Sequence, residues 1–179
     1  MPGLYRGLGY DSALMVTADK FRQVMGNFAT GITVVTTLDK SGKPYGLTVN
    51  SFTSVSLDPV LVLVCLDNKL SGLQSFIDSK HFGVSMLSDA QEDVSRMFAK
   101  KDSERPPSIF FQGELLGVPL LRHSIAVMEC EVVAKHLAGD HTIFVGRVEH
   151  ADVLEAAKPL LYFRGKYQHL EEKAAKTAE

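Results

Sequence analysis

Two runs of strand-forming residues stand almost back to back, SIAVMECEVVAKHL (124–137) and HTIFVGRVEHADVL (141–154), with only Ala138-Gly139-Asp140 between them. A link that short leaves no room for a crossover helix, so the two runs must pair antiparallel as one long hairpin. Upstream, ITVVTT (32–37) is joined to YGLTVNSFTSVSL (45–57) through DKSGKP (39–44), whose Ser-Gly and Lys-Pro pairs supply turn chemistry for a second hairpin. Asp58-Pro59 ends that segment, and VLVLVCL (60–66) follows as an apolar run that reads as a strand buried on both faces. HFGVSML (81–87) and LLYFRGKYQHL (160–170) each add a strand.

Helices are few and short. Thr17 caps a first helix on which Phe21, Val24, Met25 and Phe28 share one apolar face, ending near Gly31. A second helix is expected from about Leu70 to Asp78, and a third from Ser88 or Asp89 to near Lys100. The stretch 100–118, with KKDSERPPS and several Gly/Pro breakers, reads as a loop or lid. Strands adjacent in sequence against three short helices predict a mostly β fold with some α, in which an antiparallel sheet curls into a barrel. No regular β-α alternation and no GxGxxG opening a helix is present, which disfavours a Rossmann enzyme.

The 179 residues fit a single domain, 17–170, flanked by an N-terminal extension at 1–16 and a polar tail at 171–179. Lys plus Arg is 19 and Asp plus Glu is 21, a net charge of −2 that excludes a bulk polycation with a nucleic-acid footprint. The longest apolar run, 60–66, is too short to cross a bilayer. Arg6 followed by Asp11, with no continuous apolar stretch, does not read as a secretory signal, so a soluble cytoplasmic protein is expected. Cys65 and Cys130 each lie inside an apolar run without a CxxC partner and read as buried thiols. The histidines (81, 123, 136, 141, 150, 169) show no HExxH or paired His-Cys spacing, so no metal site is expected.

Four segments could carry chemistry. In TVNSFTSVS (48–56), six of nine residues bear hydroxyl or amide groups between two apolar strands, which makes it either a solvated edge or the wall of a polar ligand site. Asp67-Asn68-Lys69-Leu70-Ser71, at a strand-to-helix junction, suits a phosphate through N–H groups, a hydroxyl and a Lys, or is an ordinary cap by Asn68 or Asp67. Gly139-Asp140-His141-Thr142 is a simple hairpin turn or a His poised for an anionic or amide group. Tyr162-Phe163-Arg164-Gly165-Lys166-Tyr167 can stack on a flat ring and grip a phosphate, or is an amphipathic edge strand.

Taken in order, FATGITVVTT, YGLTVNSFTSVSLDP, HFGVSML, GDHTIFVGRV and LYFRGKY resemble the short-chain flavin reductases, the reductase components of two-component flavin-dependent monooxygenases. The resemblance runs from about Phe21 to Leu170, some five-sixths of the chain. It implies the FMN-binding split-barrel fold, a homodimer with each flavin near the subunit interface, FMN or FAD as flavin, and NADH or NADPH as co-substrate. By position it implies that Thr48, Asn50, Ser51, Phe52 and Ser54 line the isoalloxazine. Cys65, Leu66, Asp67 and Asn68, with Ser71, would hold the ribityl and phosphate part. Phe82, Val84 and Ser85 match a further flavin-contacting strand, with Ser85 where the family has Asn. His141 matches the position associated with NADH, where it orients the nicotinamide, and Phe163, Arg164 and Tyr167 match the segment that approaches flavin and nicotinamide. Residues 102–119 fit the family least well and contribute no site.

The activity so implied is hydride transfer from nicotinamide C4 to flavin N5, with the reduced flavin passing to a partner oxygenase. Such chemistry belongs to the cofactors, so no side chain is expected as general acid or base. The rival reading is an FMN-binding electron carrier of the same fold without an NADH site, which has no need of Gly139-Asp140-His141 or Arg164. A pyridoxamine-phosphate oxidase-like enzyme shares the barrel, but its basic phosphate-binding pattern is not evident.

Overall fold

A computed structural model of the chain describes residues 16–101 and 103–171, so the extension at 1–15 and the tail at 172–179 lie outside the described residues. The Thr17 hydroxyl accepts the Lys20 N–H and starts α1 (Ala18–Met25), which stops at Gly26 rather than near Gly31. None of the residues of α1 is buried, and its apolar face is open to solvent, Phe21 at 59% and Val24 at 56% exposure.

After the short β1 (Thr30–Gly31), β2 (Thr33–Leu38) and β3 (Pro44–Val49) form the expected hairpin. Its turn is built on Asp39, whose carboxylate accepts the Ser41 hydroxyl and the N–H groups of Ser41 and Lys43. These bonds, the Ser41 hydroxyl first, hold the Asp39 carboxyl below its ordinary range. The expected single segment 45–57 breaks at Asn50-Ser51 into β3 and β4 (Phe52–Leu57).

With β5 (Val60–Asp67), β6 (His81–Met86), β9 (Ala126–Ala138) and β10 (His141–Val153), these strands make a seven-stranded antiparallel sheet in the order β3-β2-β6-β9-β10-β5-β4. The two edge strands, β3 and β4, are joined by only two residues, Asn50 and Ser51. A sheet whose edges are tethered that closely cannot lie flat, so it rolls up with a seam between β3 and β4. The core agrees: Leu47 from one edge, Phe82 and Cys130 from the middle, and Val62, Val64 and Phe144 beyond them belong to one buried cluster, with Phe52 from the far edge packed against it.

β5 alternates rather than being buried on both faces: Val62, Val64 and Leu66 are buried, whereas Leu61, Leu63 and Cys65 are half-buried. The cause is its antiparallel setting, in which one face of a strand meets the core and the other is only partly covered. α2 (Leu73–Asp78) begins three residues later than expected, because turns closed by Leu70 N–H to Asp67 and Leu73 N–H to Leu70 occupy the preceding segment. Ser88 and Gln91 form a capping box over a short 3₁₀ turn that leads into α3 (Glu92–Ala99), close to expectation.

The expected loop at 100–118 contains more structure than a lid. β7 (Phe110–Gln112) pairs with β8 (Pro119–Leu121), and the buried Glu129 carboxylate accepts the N–H groups of Leu115 and Leu116 between them. The expected strand at 160–170 is a hairpin of β11 (Leu161–Phe163) and β12 (Lys166–Gln168), turned at Arg164-Gly165 with φ of +49° and +76°, and it pairs with β1.

Candidate functional site at the barrel seam

The seam gathers several of the expected residues. The Ser51 hydroxyl donates to the Cys65 carbonyl at 2.7 Å and accepts the Cys65 N–H at 3.3 Å, fastening β5 beside the β3–β4 corner. β5 then ends at Asp67, whose carboxylate accepts the Lys69 N–H at 2.8 Å. His141 stands opposite Asp67 in the ladder, and Asn68 is held by its N–H to the Asp140 carbonyl and by the Thr142 hydroxyl donating to its Oδ1. Cys65, Asp67, Asn68 and His141 therefore converge at one end of the barrel. His141 Nδ1 lies 2.7 Å from the Asp140 carboxylate, and that hydrogen bond, with the attraction of the ring, lowers the Asp140 pKa. Neither Asp67 nor Asn68 caps α2, which starts at Leu73 behind Gly72 with no side-chain cap and spans only 6 residues. The expected phosphate site at a helix start is thus corrected: the groups on offer are side chains.

Two clefts lie along the seam. The smaller, about 150 Å³, is lined by Thr30, Thr33, Asn50, Phe52, Met86 and Leu87, and the Thr30 hydroxyl buried there has no hydrogen-bond partner. The larger, about 410 Å³, has Tyr45, Leu47, Lys69, Ser71, Phe98 and Arg105 on its walls. Leu47 of one cleft and Asn50 of the other are three residues apart on an extended chain, a span of about 10 Å. Lys43, Lys100 and Lys101 also face the larger cleft, with Asp39 as its one acidic lining residue among the described residues. One cleft is therefore neutral and the other cationic. Lys43, Lys100, Lys101 and Arg105 are absent from the sequence-derived set; the basic residues of KKDSERPPS were the available signal.

Other expected contacts lie elsewhere. Leu66, Phe82, Val84 and Ser85 are fully buried, and the Ser85 hydroxyl accepts the Leu121 N–H, so none of these side chains is open to a ligand. β6 sits between β2 and β9 in the middle of the sheet, which explains that correction. Thr48 and Tyr167 are tied into the scaffold: the Thr48 hydroxyl donates to the Ser95 carbonyl at 2.7 Å, and the Ser95 and Tyr167 hydroxyls are 2.9 Å apart. Arg164 stacks on Phe163 at 5.0 Å and donates to Asn27 at 2.8 Å, away from the clefts' lining. Ser54 is exposed on edge strand β4, so the two readings of 48–56 divide: Asn50 and Phe52 wall a cleft, and Thr53, Ser54 and Val55 form a solvated edge.

Burial raises the Cys65 thiol and pushes Cys130 up to about 12, so neither supplies a thiolate near neutral pH. A separate cavity of about 510 Å³ near His123 and Glu155 holds none of the expected residues, and its Gln91 amide and His123 ring are already hydrogen-bonded.

A rolled antiparallel sheet with an open seam, a neutral cleft and a basic cleft defines a class able to hold a flat ring with an anionic tail. Residues 25–171 match the model of the "Flavin reductase like domain", and the chain belongs to that family. The reductase subunit HsaB of a flavin-dependent monooxygenase from Mycobacterium tuberculosis is 38% identical over 153 residues, 84% of this chain and 81% of that protein. A Rhizobium meliloti protein named "Probable flavin reductase" is 43% identical over 127 residues, 71% of this chain but 41% of that protein, so the chain spans less than half of that relative. The structure of Streptomyces globisporus C-1027 NADH:FAD oxidoreductase SgcE6, in complex with NAD and FAD fragments, matches with a TM-score of 0.80 at 34% identity, covering 92% of this chain and 99% of that one. The fold is the split-barrel-like one of the flavin reductases.

Proposed function

We propose that this chain is an NADH-dependent flavin reductase that supplies reduced flavin to a partner monooxygenase. The observation that carries this reading is the seam with its two unlike clefts, each holding a buried polar atom without a partner: the Thr30 hydroxyl at the neutral end and the Arg105 Nε at the basic end. Buried donors and acceptors in folded proteins are nearly always paired, so an orphan in each of two clefts suits a ligand with polar groups at both ends. Asn50, Ser51 and Phe52 are assigned to the isoalloxazine, Cys65, Asp67 and Asn68 to the ribityl chain, and Lys69 with Ser71 to the phosphate. A flavin held by these residues would supply the acceptor for a hydride from the nicotinamide.

His141 is assigned to the nicotinamide nucleotide. Asp140 fixes its ring through Nδ1, leaving Nε2 as the nitrogen for a ligand. Phe163 and Arg164 are kept as the segment that approaches the nicotinamide, and Tyr167 serves it indirectly by bracing Ser95. No side chain here acts as a general acid or base. A second copy of the chain is assigned to the open apolar face of α1, and Val24→Glu should convert a dimer to a monomer in sedimentation; an unchanged mass removes α1 from the interface. A cytoplasmic location, where NADH is supplied, belongs to the same reading.

The test of function is loss of absorbance at 340 nm when NADH is mixed with protein, without and with FMN or FAD. Loss that depends on added flavin supports the reductase. A flavin-loaded protein that NADH does not bleach would indicate an electron carrier.

A further inference from the structure

We propose that Arg105 makes this chain select phosphorylated flavins, FMN and FAD, over riboflavin. The proposal rests on the reading above, in which the flavin's phosphate end lies at Lys69 and Ser71. Arg105 belongs to the stretch that resembles the family least, yet it lies in a layered setting. Its guanidinium carbon sits 5.5 Å from the Tyr45 ring centre and 4.9 Å from that of Phe98. Tyr45 in turn rests on bare backbone at Gly72, where a Cβ would come within 1.9 Å of the ring. Phe98 is only 2% exposed and meets Phe110 edge-on at 5.9 Å. Two packed rings flank the guanidinium and orient it, where a lysine ammonium on a flexible stem would be less confined.

Beyond those rings, the guanidinium has no hydrogen-bond or ion-pair partner among the described residues. Arg105 Nε is buried without a hydrogen bond, and Arg105 makes no ion pair among the described residues. The Asp39 carboxylate, the one acidic group lining the cleft among the described residues, is already engaged by Ser41 and the Lys43 N–H. Lys43, Lys69, Lys100 and Lys101 line the same cleft and raise its potential for any anion. A fixed guanidinium adds orientation, because its planar fork matches two oxygens of a phosphate. Riboflavin ends in a neutral hydroxyl and offers neither the charge nor the paired oxygens.

The experiment measures equilibrium binding of FMN, FAD and riboflavin by flavin fluorescence, using full-length wild type, Arg105→Gln and Arg105→Lys, with the melting temperature of each. Wild type should bind FMN at least about tenfold more tightly than riboflavin, the span of one charge-assisted hydrogen bond. Arg105→Gln should weaken FMN and FAD by about ten- to hundredfold, leave riboflavin unchanged and erase the preference, with Arg105→Lys between. Inorganic pyrophosphate should compete with FMN in wild type and lose that effect in Arg105→Gln. Equal weakening of FMN and riboflavin would mean that Arg105 only packs, and an unchanged preference would place selectivity in the lysines; either result overturns the proposal. A wild type that binds riboflavin as well as FMN overturns it while leaving the flavin reading intact, and a wild type that binds no flavin ends both.

Discussion

Strand β6 and the segment 65–71 were both expected to touch flavin, and the fold treats them in opposite ways. β6 has ladders on both flanks, with the core cluster against Phe82 and Val84 and the β7–β8 hairpin against its other face. At Gly83 a Cβ would come within 2.8 Å of Leu120 and of the Pro119 carbonyl. The segment 65–71 begins in a ladder, leaves it at Asp67, and brings Lys69 and Ser71 to an open cleft. The contrast lies in what covers each: β6 meets the core on one face and the β7–β8 hairpin on the other, whereas the chain leaving the rim has an open cleft beside it. A family pattern at β6 therefore marks what the fold requires, and one at 65–71 marks residues that the fold leaves open.

This contrast makes graded predictions. Phe82→Ala should lose about 3–5 kcal/mol in chemical denaturation, while the folded fraction keeps its flavin affinity. A loss of flavin affinity without loss of stability would put Phe82 in the site. Ser85→Ala should cost about 1–3 kcal/mol by orphaning the Leu121 N–H, whereas Ser71→Ala should stay within about 0.5 kcal/mol and weaken FMN instead. His141→Ala should raise the KM for NADH about fivefold and leave flavin binding and melting temperature unchanged, the size expected for one lost hydrogen bond. A separate effect is on pH dependence. The Cys130 thiol ionises near its ordinary 9.0 when unfolded but only at about 12 when buried. The unfolded chain thus holds fewer protons in that window, so stability is whole below pH 9 and falls as pH rises towards 12. Cys130→Ala should flatten that fall in denaturation curves taken across the range.

Much of the fold was legible because it is local. The 124–154 hairpin, the Asp39 turn, the Thr17 cap and the Ser88 box each follow from residues within a few positions of one another. The break at Asn50-Ser51 was not legible, since it depends on which distant strands claim β3 and β4. The position of α2 was missed because Asn68 looks like a cap until Thr142, 74 residues away, takes its side chain. Lys69, Ser71 and the Gly-Asp-His turn stood out in the sequence as candidates by residue type. Arg105 offered only its charge there, because its setting between Tyr45 and Phe98 comes from residues remote in sequence.

The two-residue tether at the seam has a mechanical consequence. All the other strand boundaries of the barrel are held by a ladder of hydrogen bonds, but none joins β3 to β4. The girth of the barrel can therefore change cheaply along one line only, pivoting on Asn50-Ser51 and restrained by the Ser51 clasp on Cys65. Within this sheet, breathing costs least along that line, and the β3 edge that borders it carries residues of the larger cleft.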